Sequence, residues 1–396
     1  MSTRPKPPIV AFAHHPWDEP EWMNRQQLLS RLGKLGWSVA YSHGTLDWWQ
    51  RGSPAWQASP LFNRIIDRDH IRDIIPGRLG ARWRRYPTFD RFQMARHAKF
   101  VRAAVAKPDE RIIALLFDPQ FYPYIEHLQP CDVAFHAYDV YAHQSNWTDQ
   151  KEKFQSDLLR EASLVTASSA PIARHLKRPN VHVIPNGADV DAFANASNLP
   201  EPKDLTSIPH PRIAYVGAIN RKVDLPLIEF IAKKHPEWHW VLVGRIEEKE
   251  ILQEEFTAAS FKSCLQLPNV HFLGQKDRRE VPAYVGNMDI NTMCYRGKGN
   301  GWWSAGSPLK LYEYLSAGLP VISTPLESIK DHADIITLCD TPYEWIEAIK
   351  CNLKIKNQEK NGQGIRIASE NSWDAKSLEL SRLLLIAADL NPSHQP

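Results

Sequence analysis

Two series of short apolar runs, alternating with stretches that carry apolar residues at helical spacing, restrict the fold of this chain more than any other feature. In the first series PIVAFA (8–13) reads as a buried strand, 21–35 as an amphipathic helix stopped by Gly36, and WSVAYS (37–42) as the next strand. That order opens a parallel βαβ unit with a right-handed crossover. Further strands are expected at 111–117, 133–137, 164–167 and 182–184, with a helix over 147–162. The first half is therefore expected to be a doubly wound α/β domain.

The segment ANASNLPEPKDLTSIPHP (194–211) interrupts the pattern, being rich in Pro, Asn and Ser and without periodicity, and reads as a linker. Beyond it the alternation restarts, with strands at 212–217, 239–244, 270–274, 289–294 and 320–324 and helices at 225–234, 248–261, 281–285 and 308–317. Two domains follow, 1–200 and 208–370, each a parallel sheet and facing a cleft between them. A last amphipathic helix within 372–390, capped at Ser372, is expected to pack back onto the first domain, and the tail NPSHQP to be disordered.

Length agrees with this division, because 396 residues at about 150 per domain give two or three units. Hydrophobic residues at 43% and charged ones at 23% suit a chain that buries a large core. The five cysteines show no CxxC or zinc-ligand spacing and read as reduced core thiols. Neither a signal peptide nor an apolar span of roughly 18 residues is visible, so a cytoplasmic location is expected, with the inner membrane face as a second address.

The net charge of +3 hides a basic stretch, 64–102, in which Arg78, Arg82, Arg84, Arg85, Arg91, Arg96 and others crowd around Trp83, Tyr86, Phe89 and Phe92. It reads equally as a solvated, salt-bridged surface and as an arm lying on anionic lipid. No nucleic-acid-binding motif accompanies the charge, so a nucleic-acid partner is not expected.

Chemistry concentrates in GSPLKLYEYLSAGLPVIST (306–324). Ser-Pro leads into a helix carrying Lys310 and Glu313, Gly318 closes it, and Pro320 opens a buried strand. Lys310 sits near a helix N-terminus, where a phosphate is favoured, and Glu313, three residues on, shares its face and can accept from a ribose diol. The residues alone are equally compatible with an ordinary surface helix.

This run closely resembles the donor-site signature of GT-B glycosyltransferases, in the branch that includes teichuronic-acid and exopolysaccharide transferases and the xanthan glucuronosyltransferase. The resemblance implies that Lys310 binds the donor pyrophosphate and Glu313 the ribose, with Ser307, Pro308 and Leu309 beside them. It continues through VHVIPNGADVDAF (181–193), which is similar to the segment closing the first domain, and YVGAINRKVD (215–224), which looks like the Gly-rich first turn of the donor domain. There Gly217 would admit the substrate to the backbone, and Arg221, or Arg245 in VLVGRI (241–246), would face phosphate. NVHFLGQ (269–275) matches the third donor-domain strand, placing the base against the turn at Gly274, with Tyr295 nearby.

Transfer to a hydroxyl needs a base. Asp139, in FHAYDVYAHQ (135–144), follows a buried strand and matches the aspartate assigned that role in inverting members, although a turn-capping Asp would look the same. His14 and His15 follow the first strand, and His15 is the expected acceptor contact, with Trp17 and the Gly301 to Trp303 stretch as sugar-stacking candidates. Retaining relatives carry a glutamate eight positions before the one matching Glu313; here that position is Ala305, which favours inversion. No metal site is expected, since the helix dipole and Lys310 suffice for the leaving diphosphate.

The resulting expectation is a GT-B α/β enzyme without a bound cofactor, using a UDP- or GDP-sugar as substrate. It would act on a saccharide or lipid-linked acceptor in polysaccharide biosynthesis. Its rivals are a catalytically silent scaffold of the same fold and a retaining transferase or sugar-nucleotide epimerase.

Overall fold

The structure, a computed structural model, describes residues 6–19, 22–143, 146–296, 306–354 and 358–390. It divides into two compact units, Met1–Pro185 with Asp374–Pro396, and Asn186–Trp373.

In the first unit β1 (Ile9–Phe12), β2 (Val39–Ser42), β3 (Arg64–Arg68), β4 (Ile71–Ile75), β5 (Ile113–Leu116), β6 (Asp132–Ala137), β7 (Leu164–Ala167) and β8 (His182–Val183) make one sheet. Their order is β3-β4-β2-β1-β5-β6-β7-β8. All neighbours are parallel except β3 and β4, an antiparallel hairpin. Central strands such as IVAF and IALL are buried throughout, as parallel strands covered on both faces must be.

The hairpin was not expected, and its origin is local. Asp69 and His70 both hold positive φ, 49° and 67°, between Arg68 and its partner Ile71, which is the two-residue turn whose twist matches that of the strands. Asp and His tolerate that region better than branched residues. Charged residues at both ends of β3 disguise it, as is common on an edge strand. The rest of the basic stretch includes the helix Pro87–Ala103.

The C-terminal helix Trp373–Leu390 lies against this first unit. Trp37 Nε1 donates to Ser381 Oγ at 2.9 Å, and Arg111 donates to the Ala388 carbonyl at 3.3 Å.

The second unit contains β9 (Arg212–Val216), β10 (His239–Val243), β11 (Val270–Gly274), β12 (Ile290–Met293), β13 (Val321–Ser323) and β14 (Thr337–Leu338), all parallel, in the order β11-β10-β9-β12-β13-β14. Counted within the unit this is 3-2-1-4-5-6, the doubly wound order of dinucleotide-binding sheets.

The division between units falls ahead of the expected linker, which lies inside the second unit. Phe193, Ala196, Leu205 and Ile208 are buried in its core. Arg212, itself buried, donates to the carbonyls of Leu205 at 2.9 Å and Ile208 at 2.6 Å and pairs with Glu201. A stretch with few apolar residues reads as a linker, yet here Ala196, Leu205 and Ile208 are buried and a guanidinium satisfies carbonyls between them.

Candidate functional site

The sheet order places a switch point in the second unit between β9 and β12, where the chain turns away in opposite directions and leaves a crevice at the carboxyl ends of the strands. Gly217 ends β9 with φ +141°, and Gly244 follows β10 with φ +150°. Gly217 N donates to Val243 O at 2.8 Å, and Gly244 N to Gly274 O at 2.9 Å, so the three strand ends are tied rim to rim. A Cβ at Gly244 would lie 2.1 Å from the Gly217 carbonyl oxygen. A Cβ at Gly217 would lie 2.6 Å from Lys310 Nζ. Only glycine permits both the dihedral and the approach.

Lys310 is the first residue of the helix Lys310–Ser316 and is only 9% exposed. Its Nζ lies 3.7 Å from the centroid of the Tyr215 ring and 5.5 Å from that of Tyr295, and it makes no hydrogen bond. Burial drives its pKa well below the usual lysine value, Lys222 pushes the same way, and Cys294 and Glu313 oppose. Two ring faces partly compensate a desolvated cation, but they leave its three donors unused.

Tyr314 sets the position of this helix: its hydroxyl accepts from Val216 N at 2.9 Å, pinning the helix to the end of β9. Ahead of Lys310, Ser307 offers its carbonyl to Asn186 Nδ2 at 2.7 Å, Pro308 accepts from Leu311 N at 3.3 Å, and Leu309 already holds helical dihedrals. The half-buried Glu313 has its pKa pushed up to about 7 by burial, with Lys310 lowering it and Asp189 raising it. None of the described residues hydrogen-bonds its carboxyl.

Gly217, Tyr295, Lys310 and Glu313 thus converge, and Gly274 joins them through Gly244. Arg245 donates to Glu247 at 2.7 Å. Arg221 is half-buried in the turn after β9. Sequence reading missed Tyr215, Gly244 and Tyr314; the YVG (215–217), VLVG (241–244) and EYL (313–315) runs contain them, but aromatic residues in an apolar strand or helix and a glycine at a strand end carry no signal of a site by themselves. Gly301, Trp303 and Ala305 lie outside the described residues.

The first unit has its own switch point, between β1 and β5. His14 follows β1, Asp118 follows β5, and the half-buried Asp139 follows β6 at the same rim. Gln120 Nε2 lies 3.1 Å from Asp118 Oδ2 and 2.6 Å from His14 Nδ1. The amide nitrogen donates to both, which leaves His14 as the Nε2–H tautomer. Burial raises the Asp118 pKa, against the Gln120 backbone N–H and His14.

His15 and Trp17 both meet acidic side chains of the first unit. His15 Nδ1 lies 2.7 Å from a Glu19 carboxylate oxygen, and Glu19 also holds the buried Arg25. Trp17 is 1% exposed, packed edge-on to Tyr41 at 5.1 Å, and donates to Asp69 Oδ2 at 2.9 Å. Its ring is a core anchor that holds the β3–β4 turn and has no face left for a sugar.

Comparison with known proteins gives the second unit a family: residues 210–354 match the glycosyl transferases group 1 family. The second unit carries a glycosyl transferases group 1 domain. A stretch of 177 residues is 30% identical to TuaH of Bacillus subtilis (strain 168), named as a teichuronic acid biosynthesis glycosyltransferase. That stretch spans 43% of this chain and 42% of TuaH, less than half of either.

Among solved structures, sucrose-phosphate synthase from Thermosynechococcus elongatus matches with a TM-score of 0.70 at 17% identity, over 97% of this chain and all of that one. A UDP-forming trehalose-phosphate synthase from Burkholderia xenovorans matches at 0.66 and 10%, covering 97% and 100%. Anabaena HepE, in complex with UDP and glucose, matches at 0.63 and 15%, covering 96% and 100%. At such identities the likeness is one of fold, and the fold is GT-B: two parallel-sheet α/β units. The glycosyl transferases group 1 domain of this chain contains the whole Gly217, Tyr295, Lys310 and Glu313 cluster.

Proposed function

We propose that this protein is an inverting, metal-independent glycosyltransferase, moving a sugar from a nucleoside-diphosphate donor to a saccharide or lipid-linked acceptor in polysaccharide biosynthesis. The observation that carries the reading is the Lys310 side-chain nitrogen: buried, without a hydrogen-bond partner, and standing over glycine backbone at a switch point. A cation desolvated at cost and left unpaired is complementary to an anion that arrives with the substrate.

The donor diphosphate takes the unused Lys310 donors, and the ribose diol donates to Glu313 in its ionised form. As the glycosidic C–O bond to the diphosphate breaks, its electron pair passes to the phosphate oxygen, where Lys310 stabilises the growing charge. Asp139 takes the proton of the acceptor hydroxyl as that oxygen attacks the opposite face of the anomeric carbon. The side-chain cation supplies the neutralisation for which other transferases recruit a divalent metal. UDP is the favoured nucleotide, because solved proteins of the same fold are named as UDP-forming or were solved with UDP.

Titration calorimetry with UDP, GDP, TDP and ADP, on the wild type and on Lys310→Ala, tests the reading. One nucleotide is expected to bind, and to lose most of its affinity in the variant. Unchanged affinity in Lys310→Ala would refute the assignment. NMR of the product's anomeric configuration, with and without a chelator, checks inversion and metal independence.

A further inference from the structure

We propose that one face of the first unit, built around Trp48, Trp83, Tyr86, Phe89 and Phe92, seats on an anionic lipid bilayer and is held mainly by inserted rings, with charge secondary. The basic stretch 64–102 suggests an electrostatic arm, but the structure spends much of that charge within the protein. Arg82 pairs with Asp90, Arg84 with Asp47, Arg91 with Glu126, Arg72 with Asp67 and Arg68 with Asp73.

The apolar residues are left outward instead. Trp49 is 77% exposed, Phe62 67% and Phe92 61%, with Trp48, Leu61, Leu79, Trp83, Tyr86 and Phe89 exposed as well. Several of them are in contact. Trp48 stacks on Trp83 at 5.5 Å and 16°, and Trp83 meets Tyr86 edge-on at 4.8 Å. From there Tyr86, Pro87, Thr88, Phe89 and Phe92 line an open hollow of about 790 Å³. Leu79 joins the same helix, its carbonyl accepting from Gln93 at 3.2 Å and Arg96 at 3.1 Å, and Leu79 N donates to Leu61 O at 3.0 Å. An exposed apolar surface of this extent normally has an occupant.

Charge identifies the occupant. Within the patch Asp47 and Asp90 are both consumed by arginines. Arg51, whose Cζ lies 5.3 Å from the Trp48 ring centroid, and Arg78, Arg85 and Arg96 have no carboxylate partner among the described residues. Trp and Tyr rings at the level of the headgroups, Phe and Leu below them and an arginine rim make up the composition of a protein face lying in a bilayer interface. Among the described residues no helix is long and apolar enough to cross a membrane, so the contact is with one leaflet.

The test is sedimentation of the full chain with phosphatidylcholine vesicles containing or lacking phosphatidylglycerol, at low salt and at about 0.5 M salt, where exposed charges are screened within a few ångströms. Binding is expected in the presence of phosphatidylglycerol and is expected to survive high salt within a few-fold. Phe89→Ser with Phe92→Ser should lower partitioning about tenfold or more, given the area each ring buries. Arg85→Ser with Arg96→Ser should lower it only a few-fold. Thermal melting and nucleotide binding of the variants, expected unchanged, report that they fold. The proposal is overturned if the wild type ignores vesicles, if salt abolishes binding while the Phe variant binds normally, or if the Phe variant merely converts a dimer to a monomer in light scattering.

Discussion

Lys310 Nζ stands 3.7 Å from the centre of the Tyr215 ring and against the bare backbone of Gly217, which would carry a Cβ 2.6 Å from that nitrogen. The strand end, its glycine and the helix start thus enclose one buried cation, and its consequences for stability and for binding have opposite signs.

Lys310→Met should make the empty protein more stable, by about 1 kcal/mol, because it removes a desolvated ammonium with no hydrogen bonds and keeps the volume. The same change should cost the bound diphosphate a charge-assisted contact of about 1.5–3 kcal/mol. Melting curves and calorimetry with UDP measure both on one sample; a fall in melting temperature together with intact UDP affinity would contradict the assignment.

Gly217→Ala is expected to fold with a loss of about 1–3 kcal/mol, from positive φ and displacement of the flexible Lys310 terminus. It should also weaken nucleotide binding. Gly244→Ala is expected to be worse, since its Cβ would meet rigid backbone at 2.1 Å. Comparing denaturation midpoints of the two variants decides the order.

Asp139→Asn should reduce transfer about a hundred- to ten-thousandfold while leaving UDP affinity within a factor of two or so, as expected for a general base that does not touch the nucleotide. Asp118→Asn offers the contrast. It keeps the shape of the Gln120 contact and weakens the hold on His14, so a smaller loss, of about tenfold, is expected in the same assay.

Acid should destabilise the first unit through two buried histidines. His97 is held at about 3 and His136 at about 4 by burial, from an ordinary value of 6.5. Both are neutral when folded, and the unfolded chain takes up their protons below pH 6.5. Their contribution is therefore complete above that pH and is lost as pH falls toward about 4 for His136 and about 3 for His97. The expected slope reaches about 1.4 kcal/mol per pH unit for each. Denaturant titrations between pH 7 and 4 should show a shallower loss in His97→Asn with His136→Asn than in the wild type.

The α/β class, the two series of strands, and the Lys310 and Glu313 pair were all legible in the sequence, because each depends on residues close along the chain: an apolar run, a helical period, a Ser-Pro start. Tertiary structure alone decided the rest. The β3–β4 hairpin was hidden because an edge strand tolerates charge and a two-residue turn of Asp69 and His70 lacks the usual glycine. The linker-like 194–211 anchors to the second unit through the buried Ala196, Leu205 and Ile208, with Arg212, on a later strand, satisfying carbonyls ahead of it. Trp17 looked like a sugar-stacking ring, but its ring is buried and its Nε1 donates to Asp69. Local pattern determines which elements form; which polar groups remain unpaired once those elements pack depends on partners distant in the chain, and no run of neighbouring residues carries that information.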